Sequence, residues 1–237
     1  MQCDNFILIS TVDVYDIKSG VDEDYIINPE KADYYGRNRL EFEKFVKDKF
    51  PKFTIIRLPA LFGSGLKKNF IYDLLNPVPM FLTQKLFSQW EGILSQEDLT
   101  VLSGFYSKRS DGVFEKISKE NDTKTLEIFS KIGFSSLSFT DSRHSFQFYN
   151  LANLWKDIQT AINNGIELLN LVTEPVTTSE IYRYSFGKDF VNEVAQNIMH
   201  YDIYSRFADS GHYFYTKESV LKEIKEFLEL NNCELPA

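Results

Sequence analysis

Two short apolar runs constrain this chain most. Phe6–Ile9 is unbroken and closes on the hydroxyl residues Ser10 and Thr11, and Phe53–Leu58, apolar and β-branched, stops at Pro59. Runs of this length and character suit strands buried on both faces of a parallel sheet. In such sheets ligands sit beyond the carboxyl ends of the strands, which places Thr11 and Pro59 at the mouth of a cleft. Between the runs, after the turn signal Asn28-Pro29, a helical pattern begins at Lys31. In it Tyr35, Arg39, Phe42 and Val46 recur at three and four residues and share one face.

A guanidinium inside an apolar stripe is costly unless it is paired, so Arg39 must reach water, a carboxylate or a bound anion. A cation one turn from a phenol also favours the phenolate, which would make Tyr35 a proton donor and acceptor. The other reading of the same spacing is a core tyrosine beside an arginine that carries its head to the surface.

Three ordered segments carry a more specific signal. Ile9-Ser10-Thr11-Val12-Asp13-Val14-Tyr15, then Tyr35-Gly36-Arg37-Asn38-Arg39 followed by Glu43, then Ile55-Ile56-Arg57-Leu58-Pro59-Ala60-Leu61-Phe62-Gly63 resemble the catalytic half of the extended short-chain dehydrogenase/reductases, the NAD-dependent nucleotide-sugar epimerase and dehydratase family. The resemblance implies an α/β fold: the C-terminal part of a Rossmann-like parallel sheet plus a smaller mixed α/β substrate-binding lobe. It also implies NAD or NADP as cofactor and a nucleotide sugar as substrate. By resemblance Thr11 polarises the substrate oxygen and Tyr35 is the acid/base. Arg39 stands where the family has the lysine that lowers the tyrosine pKa and holds the cofactor ribose, and a forked guanidinium is not equivalent to an ammonium there. Pro59 falls with Tyr35 and Arg39 on the cofactor side. Asp13 lies where the dehydratases of the family carry an acidic catalytic residue, and its other reading is a turn cap. Where the family commonly places an asparagine that touches substrate, this chain has Ala60.

The resemblance also implies something absent. The family opens on a βαβ unit whose glycine-rich turn receives the cofactor pyrophosphate at a helix N-terminus. Here the glycines before position 63 are Gly20 and Gly36, in no such turn. The expectation is therefore a fragment, or a separately encoded half-enzyme that meets its missing half or a second copy of itself. Residues 1–66 are expected to hold the remaining part of the Rossmann-like domain and 67–237 the substrate lobe, with about 140–172 returning to the sheet. The alternative is a non-catalytic module that binds a ligand or a partner.

Further on, Gly63-Ser64-Gly65 leads into Lys67–Leu75, which reads as a short helix with two cations at its start. By resemblance Asn69, with Lys68 beside it, contacts the substrate diphosphate; the plain reading is an asparagine cap among solvated lysines. Phe81–Trp90 and Glu120–Ile132 read as helices and Ser107–Gly112 as an exposed turn, in a segment that serves as a substrate-side lid or a partner surface. Asp141–Tyr149 resembles the family's arginine followed by an alternating strand. Arg143 is a candidate second diphosphate contact or the partner of Asp141. Leu151–Ile162 reads as a helix, Leu168–Val172 as a strand, Thr178 or Ser179 as the next N-cap, and Lys217–Leu230 as a final amphipathic helix. His144, His200 and His212 have no metal spacing.

A formal net charge of −8 across 237 residues, with no basic block, argues against a nucleic-acid-binding face. No apolar run is long enough to span a bilayer, and the N-terminus lacks a signal-peptide pattern. Cys3 and Cys233 show no metal spacing and read as reduced thiols of a cytoplasmic protein.

Overall fold

The computed structural model describes residues 4–117, 123–209 and 211–231. The chain divides into two compact units, the first formed by residues up to Leu66 with Ser142–Phe227, the second by Lys67–Asp141 with the stretch from Leu228. The expected lobe starting at 67 thus closes near 141, and 142–227 group with the opening stretch.

In the first stretch β1 (Phe6–Thr11) runs into a 3-10 turn (Val12–Val14), followed by α1 (Tyr34–Lys49), β2 (Phe53–Leu58) and β3 (Ala60–Phe62). The second unit contains α2 (Asn69–Leu75), β4 (Phe81–Leu82), α3 (Gln84–Trp90), α4 (Gln96–Phe105), β5 (Tyr106–Lys108), β6 (Phe114–Lys116) and α5 (Thr123–Lys131). The chain then supplies β7 (Ser145–Phe146), β8 (Phe148–Asn150), α6 (Leu154–Asn163), β9 (Leu168–Asn170), β10 (Val176–Thr177), α7 (Thr178–Phe186) and α8 (Lys217–Leu230).

The first unit is built on a parallel sheet in the order β1-β2-β9, with Phe6 opposite Phe53, Thr11 opposite Leu58, and Arg57 opposite Asn170. β3 pairs β8 in parallel, and β7 pairs β10 antiparallel. On one side of the sheet Leu8, Ile55 and Val46 of α1 form a core; on the other, Ile56, Leu58 and Leu169 pack with Ile158 and Ala161 of α6. Both faces are covered, which is why β1 and β2 read as continuous apolar runs.

Helix α1 starts three residues later than the sequence pattern suggests. Asp33 caps it, its carboxylate accepting from the Gly36 N–H at 2.6 Å, and it ends at Phe50, just before Pro51. Its buried residues are Gly36, Leu40, Glu43 and Val46, so the inward face is not the Tyr35/Arg39/Phe42/Val46 stripe. Tyr35 is 57% exposed and Phe42 41%. Gly36 sets this rotation: a Cβ there would lie 2.1 Å from the Asp13 carbonyl oxygen, so the first turn of the helix rests backbone to backbone on the 3-10 turn. At α7 the N-cap is Thr177, one residue ahead of the expected position, because Glu180 reaches back to the Thr177 N–H at 2.7 Å while the Thr177 hydroxyl accepts from the Glu180 N–H at 3.1 Å.

The second unit packs α3, α4 and α5 around an antiparallel sheet in the order β4-β6-β5. The expected helix Phe81–Trp90 is a two-residue strand and then a helix capped by Thr83. The expected turn Ser107–Gly112 is the end of β5 plus a hairpin turn closed by an Arg109 N–H to Val113 carbonyl bond of 2.8 Å, with Gly112 at φ 83°. The start of the expected 120–132 helix, residues 120–122, lies outside the described residues. The aromatic content of this segment goes into its own core: Trp90 meets Phe129 and Phe134 edge-on, and Phe87 stacks on Phe114 at 4.4 Å.

Candidate functional site

The carboxyl ends of β1 and β2 open on a cavity of about 170 Å³ within the first unit. Val12, Pro59, Ala60 and Phe146 form its apolar walls, and Asp13, Gln147 and Tyr201 supply the polar groups. Thr11 ends β1 and caps the 3-10 turn, its hydroxyl accepting from the Asp13 N–H at 3.1 Å and donating to Asp13 Oδ2 at 3.3 Å. Asp13 therefore is held in a cap as well as facing the cavity. Its Oδ1 accepts from the Tyr201 phenol at 3.1 Å, with Lys18 Nζ at 3.6 Å. Burial first, and then the Asp13 charge, push the Tyr201 phenol well above the usual tyrosine range. The backbone of Tyr201 is pinned by its N–H to the Ser145 carbonyl at 3.0 Å. Gln147, fully buried, donates to the Thr173 and Ile203 carbonyls and accepts from the Ile203 N–H, which ties the cavity wall together.

Beneath the site lies a buried charged network. Arg57, on β2, grips Glu43, on α1, through Nε at 3.0 Å and Nη2 at 2.7 Å, with the two side chains 3% and 1% exposed. Ser10 donates to Glu43 at 2.6 Å, and Arg57 Nη1 donates to the Tyr15 phenol at 2.8 Å. Asn170, on β9, donates to the same phenol at 2.8 Å. Burial alone would pull the Arg57 guanidinium down, yet the Glu43 carboxylate more than offsets it and holds it above its ordinary value. Tyr15 is pushed up to about 12 by burial, against the pull of Arg57. Fully bonded in this way, the network fixes the geometry of the strand ends that carry Thr11 and Pro59.

The other predicted residues fall in distinct places. Tyr35 sits on the first turn of α1, the turn that rests on Asp13, and points outward. Arg39 reaches no carboxylate among the described residues: its Nη2 donates to the Ile9 carbonyl on β1, and its Nε is buried with no hydrogen-bond partner there. Asn69 and Lys68 belong to the second unit. Lys68 is exposed, and Asn69, at φ 64°, accepts from the Ile71 N–H at 3.1 Å, so it closes the start of α2. Arg143 pairs with Glu193 at 3.0 Å and donates to the Ala195 carbonyl. His144 Nδ1 accepts from the Met199 N–H, a structural bond.

Sequence reasoning missed Tyr201 and the Glu43–Arg57 pair. Arg57 carried a signal, because a charge in the middle of a buried strand demands a partner. Tyr201 carried none, reaching Asp13 across 188 positions through an irregular segment.

No protein-family model matches the sequence, and no curated protein matches it either. Among solved structures, the UDP-glucuronic acid 4-epimerase of Bacillus cereus, seen with NAD and a fluorinated UDP-deoxyglucuronic acid, superposes with a TM-score of 0.52 at 14% identity, over 97% of this chain and 62% of that one. The dTDP-4-dehydrorhamnose reductase of Clostridium acetobutylicum gives 0.52 at 15% identity, over 95% and 65%. The chain has the fold of the extended short-chain dehydrogenase/reductases. It spans less than two thirds of the length of these two enzymes. Among the described residues no helix is long and apolar enough to cross a membrane, and no cluster of side chains is arranged to hold a metal ion.

Arg39, which the resemblance places at the ribose of a nicotinamide dinucleotide, is turned to the Ile9 carbonyl, and the glycines before position 63, Gly20 and Gly36, form no glycine-rich turn.

Proposed function

We propose that this chain is the substrate-binding and acid–base part of a nucleotide-sugar epimerase, dehydratase or reductase, and that it does not cradle NAD or NADP by itself. The observation that carries this reading is the meeting of Asp13 and Pro59 in one cavity at the carboxyl ends of parallel β1 and β2, with the Thr11 hydroxyl bonded to Asp13. In this reading Thr11, its hydroxyl turned away from Asp13 Oδ2, polarises the sugar oxygen, Tyr35 exchanges its hydroxyl proton, and Asp13 accepts from a neighbouring hydroxyl. Arg143, in the same unit as the cavity, contacts the diphosphate by exchanging Glu193 for a phosphate oxygen. The rest of the fold, the part not spanned, supplies the grip on the dinucleotide. Calorimetry on the full chain tests this. UDP-glucose is expected to bind, more weakly in Arg143→Ala, while NAD does not; absence of nucleotide-sugar binding overturns the reading.

A second reading, a non-catalytic binding module, is favoured by the Arg39 contact with the Ile9 carbonyl. Binding of UDP-glucose that Tyr35→Phe leaves unchanged, with no turnover after a dinucleotide-binding half is added, would support it.

A further inference from the structure

The cavity beside Asp13 offers acceptors and a negative charge. Asp13 is the one charged side chain that lines it among the described residues. Gln147 has its donors and its oxygen bonded to the backbone of Thr173 and Ile203, and the Tyr201 phenol donates its hydrogen bond to Asp13. Lys18 does not line the cavity: its ammonium donates to the carbonyls of Asp13 and Tyr15 at 3.1 and 2.8 Å and lies 3.6 Å from the Asp13 carboxylate. An ionised carboxylate has about four acceptor positions. Thr11 occupies one on Oδ2, and Tyr201 with Lys18 occupies Oδ1, so Oδ2 is left able to take a further donor.

We infer that the cavity takes a neutral hexosyl group through a hydroxyl donated to Asp13, and rejects the corresponding hexuronate. A cavity of about 170 Å³ is smaller than the roughly 300–1,000 Å³ that drug-sized ligands fill, so it holds one sugar ring and not a whole nucleotide sugar. Phe146 offers an aromatic wall for the C–H face of such a ring. A carboxylate on that ring would face the Asp13 carboxylate, and the two like charges repel, though the repulsion is screened because Asp13 is a third exposed and Lys18 lies 3.6 Å from it. This inference rests on the nucleotide-sugar reading above.

The test compares UDP, UDP-glucose and UDP-glucuronic acid by calorimetry on the full wild-type chain and on Asp13→Asn, whose fold is checked by circular dichroism. In the wild type UDP-glucose is expected to bind at least about tenfold more tightly than UDP-glucuronic acid, the scale of a single screened charge repulsion. Asp13→Asn removes the charge and brings the two ligands to within about threefold. Equal affinities, or a preference for the uronate, in the wild type overturn the inference and leave the nucleotide-sugar reading standing. Failure of all three ligands, UDP included, overturns both. The wild-type ratio decides by itself if Asp13→Asn does not fold.

Discussion

The Glu43–Arg57 pair of the first unit and Asp73 of the second meet burial in opposite ways. In the first, Glu43 and Arg57 are almost entirely out of solvent and satisfy each other, with Ser10, Tyr15 and Asn170 completing the bonding. In the second, the Asp73 carboxylate on α2 has no hydrogen-bond or ion-pair partner among the described residues, and burial pushes it up to about 7. The main core of that unit is aliphatic and aromatic, from Val78 and Leu82 to Trp90 and Phe129. Glu43 and Arg57 thus stay charged by pairing, whereas Asp73 is tolerated by taking a proton. Pairing of that kind fixes backbone geometry near a site. An unpaired acid fixes nothing and instead makes stability depend on pH.

Breaking the pair is expected to have the largest effect. Glu43→Ala or Arg57→Ala leaves one buried charge uncompensated and should cost about 3–5 kcal/mol in denaturant unfolding. The double replacement Glu43→Leu with Arg57→Met removes both charges and should recover much of that loss. If each single variant costs no more than a surface substitution, the network is not what holds β1, β2 and α1 together.

The unpaired acid gives a smaller, conditional effect in the other unit. Its folded pKa of about 7 lies above the ordinary carboxylate value of 3.8, so the native state binds the proton more tightly than the unfolded chain. That stabilisation is fully present below about pH 4, declines as pH rises, and is gone above about 7, with a slope of at most about 1.4 kcal/mol per pH unit. Asp73→Asn should flatten the decline. Amide exchange in α2 and its neighbours, measured at pH 5 and pH 7, checks it: equal pH dependence in wild type and variant would mean that Asp73 is solvated.

The same contrast explains what the sequence made legible. β1, β2 and the final helix α8 announce themselves through local pattern: unbroken apolar runs for the strands, a helical period for α8, and observed bounds that match or extend the expected ones. The order of the three motif segments was equally local, and so was the fold class. What stayed hidden depends on contacts made across the chain. The inward face of α1 is set by Gly36 against the Asp13 carbonyl and by Glu43 against Arg57, and neither is visible in helical spacing alone. Tyr201 enters the site from a stretch with no regular period, and Phe81–Trp90 hides a strand of two residues too short to show alternation.

Two helical glycines sharpen the comparison at the level of a single methyl group. Gly36 in α1 and Gly104 in α4 both sit within helices, where the better helix former alanine gains about 1 kcal/mol at an exposed position. At Gly104 an added Cβ meets nothing within 4 Å, so Gly104→Ala should stabilise the second unit by roughly that amount. At Gly36 the same Cβ would fall 2.1 Å from backbone oxygen of Asp13, which cannot swing aside as a side chain would. The 3-10 turn and α1 must then separate, and overpacking of this kind costs about 1–3 kcal/mol, enough to reverse the sign. Gly36→Ala should also weaken UDP-glucose binding, because the displaced turn carries Asp13, whereas Gly104→Ala should leave binding unchanged. Thermal unfolding and calorimetry on the two variants read both effects, and a stabilised Gly36→Ala would show that the helix does not rest on the turn.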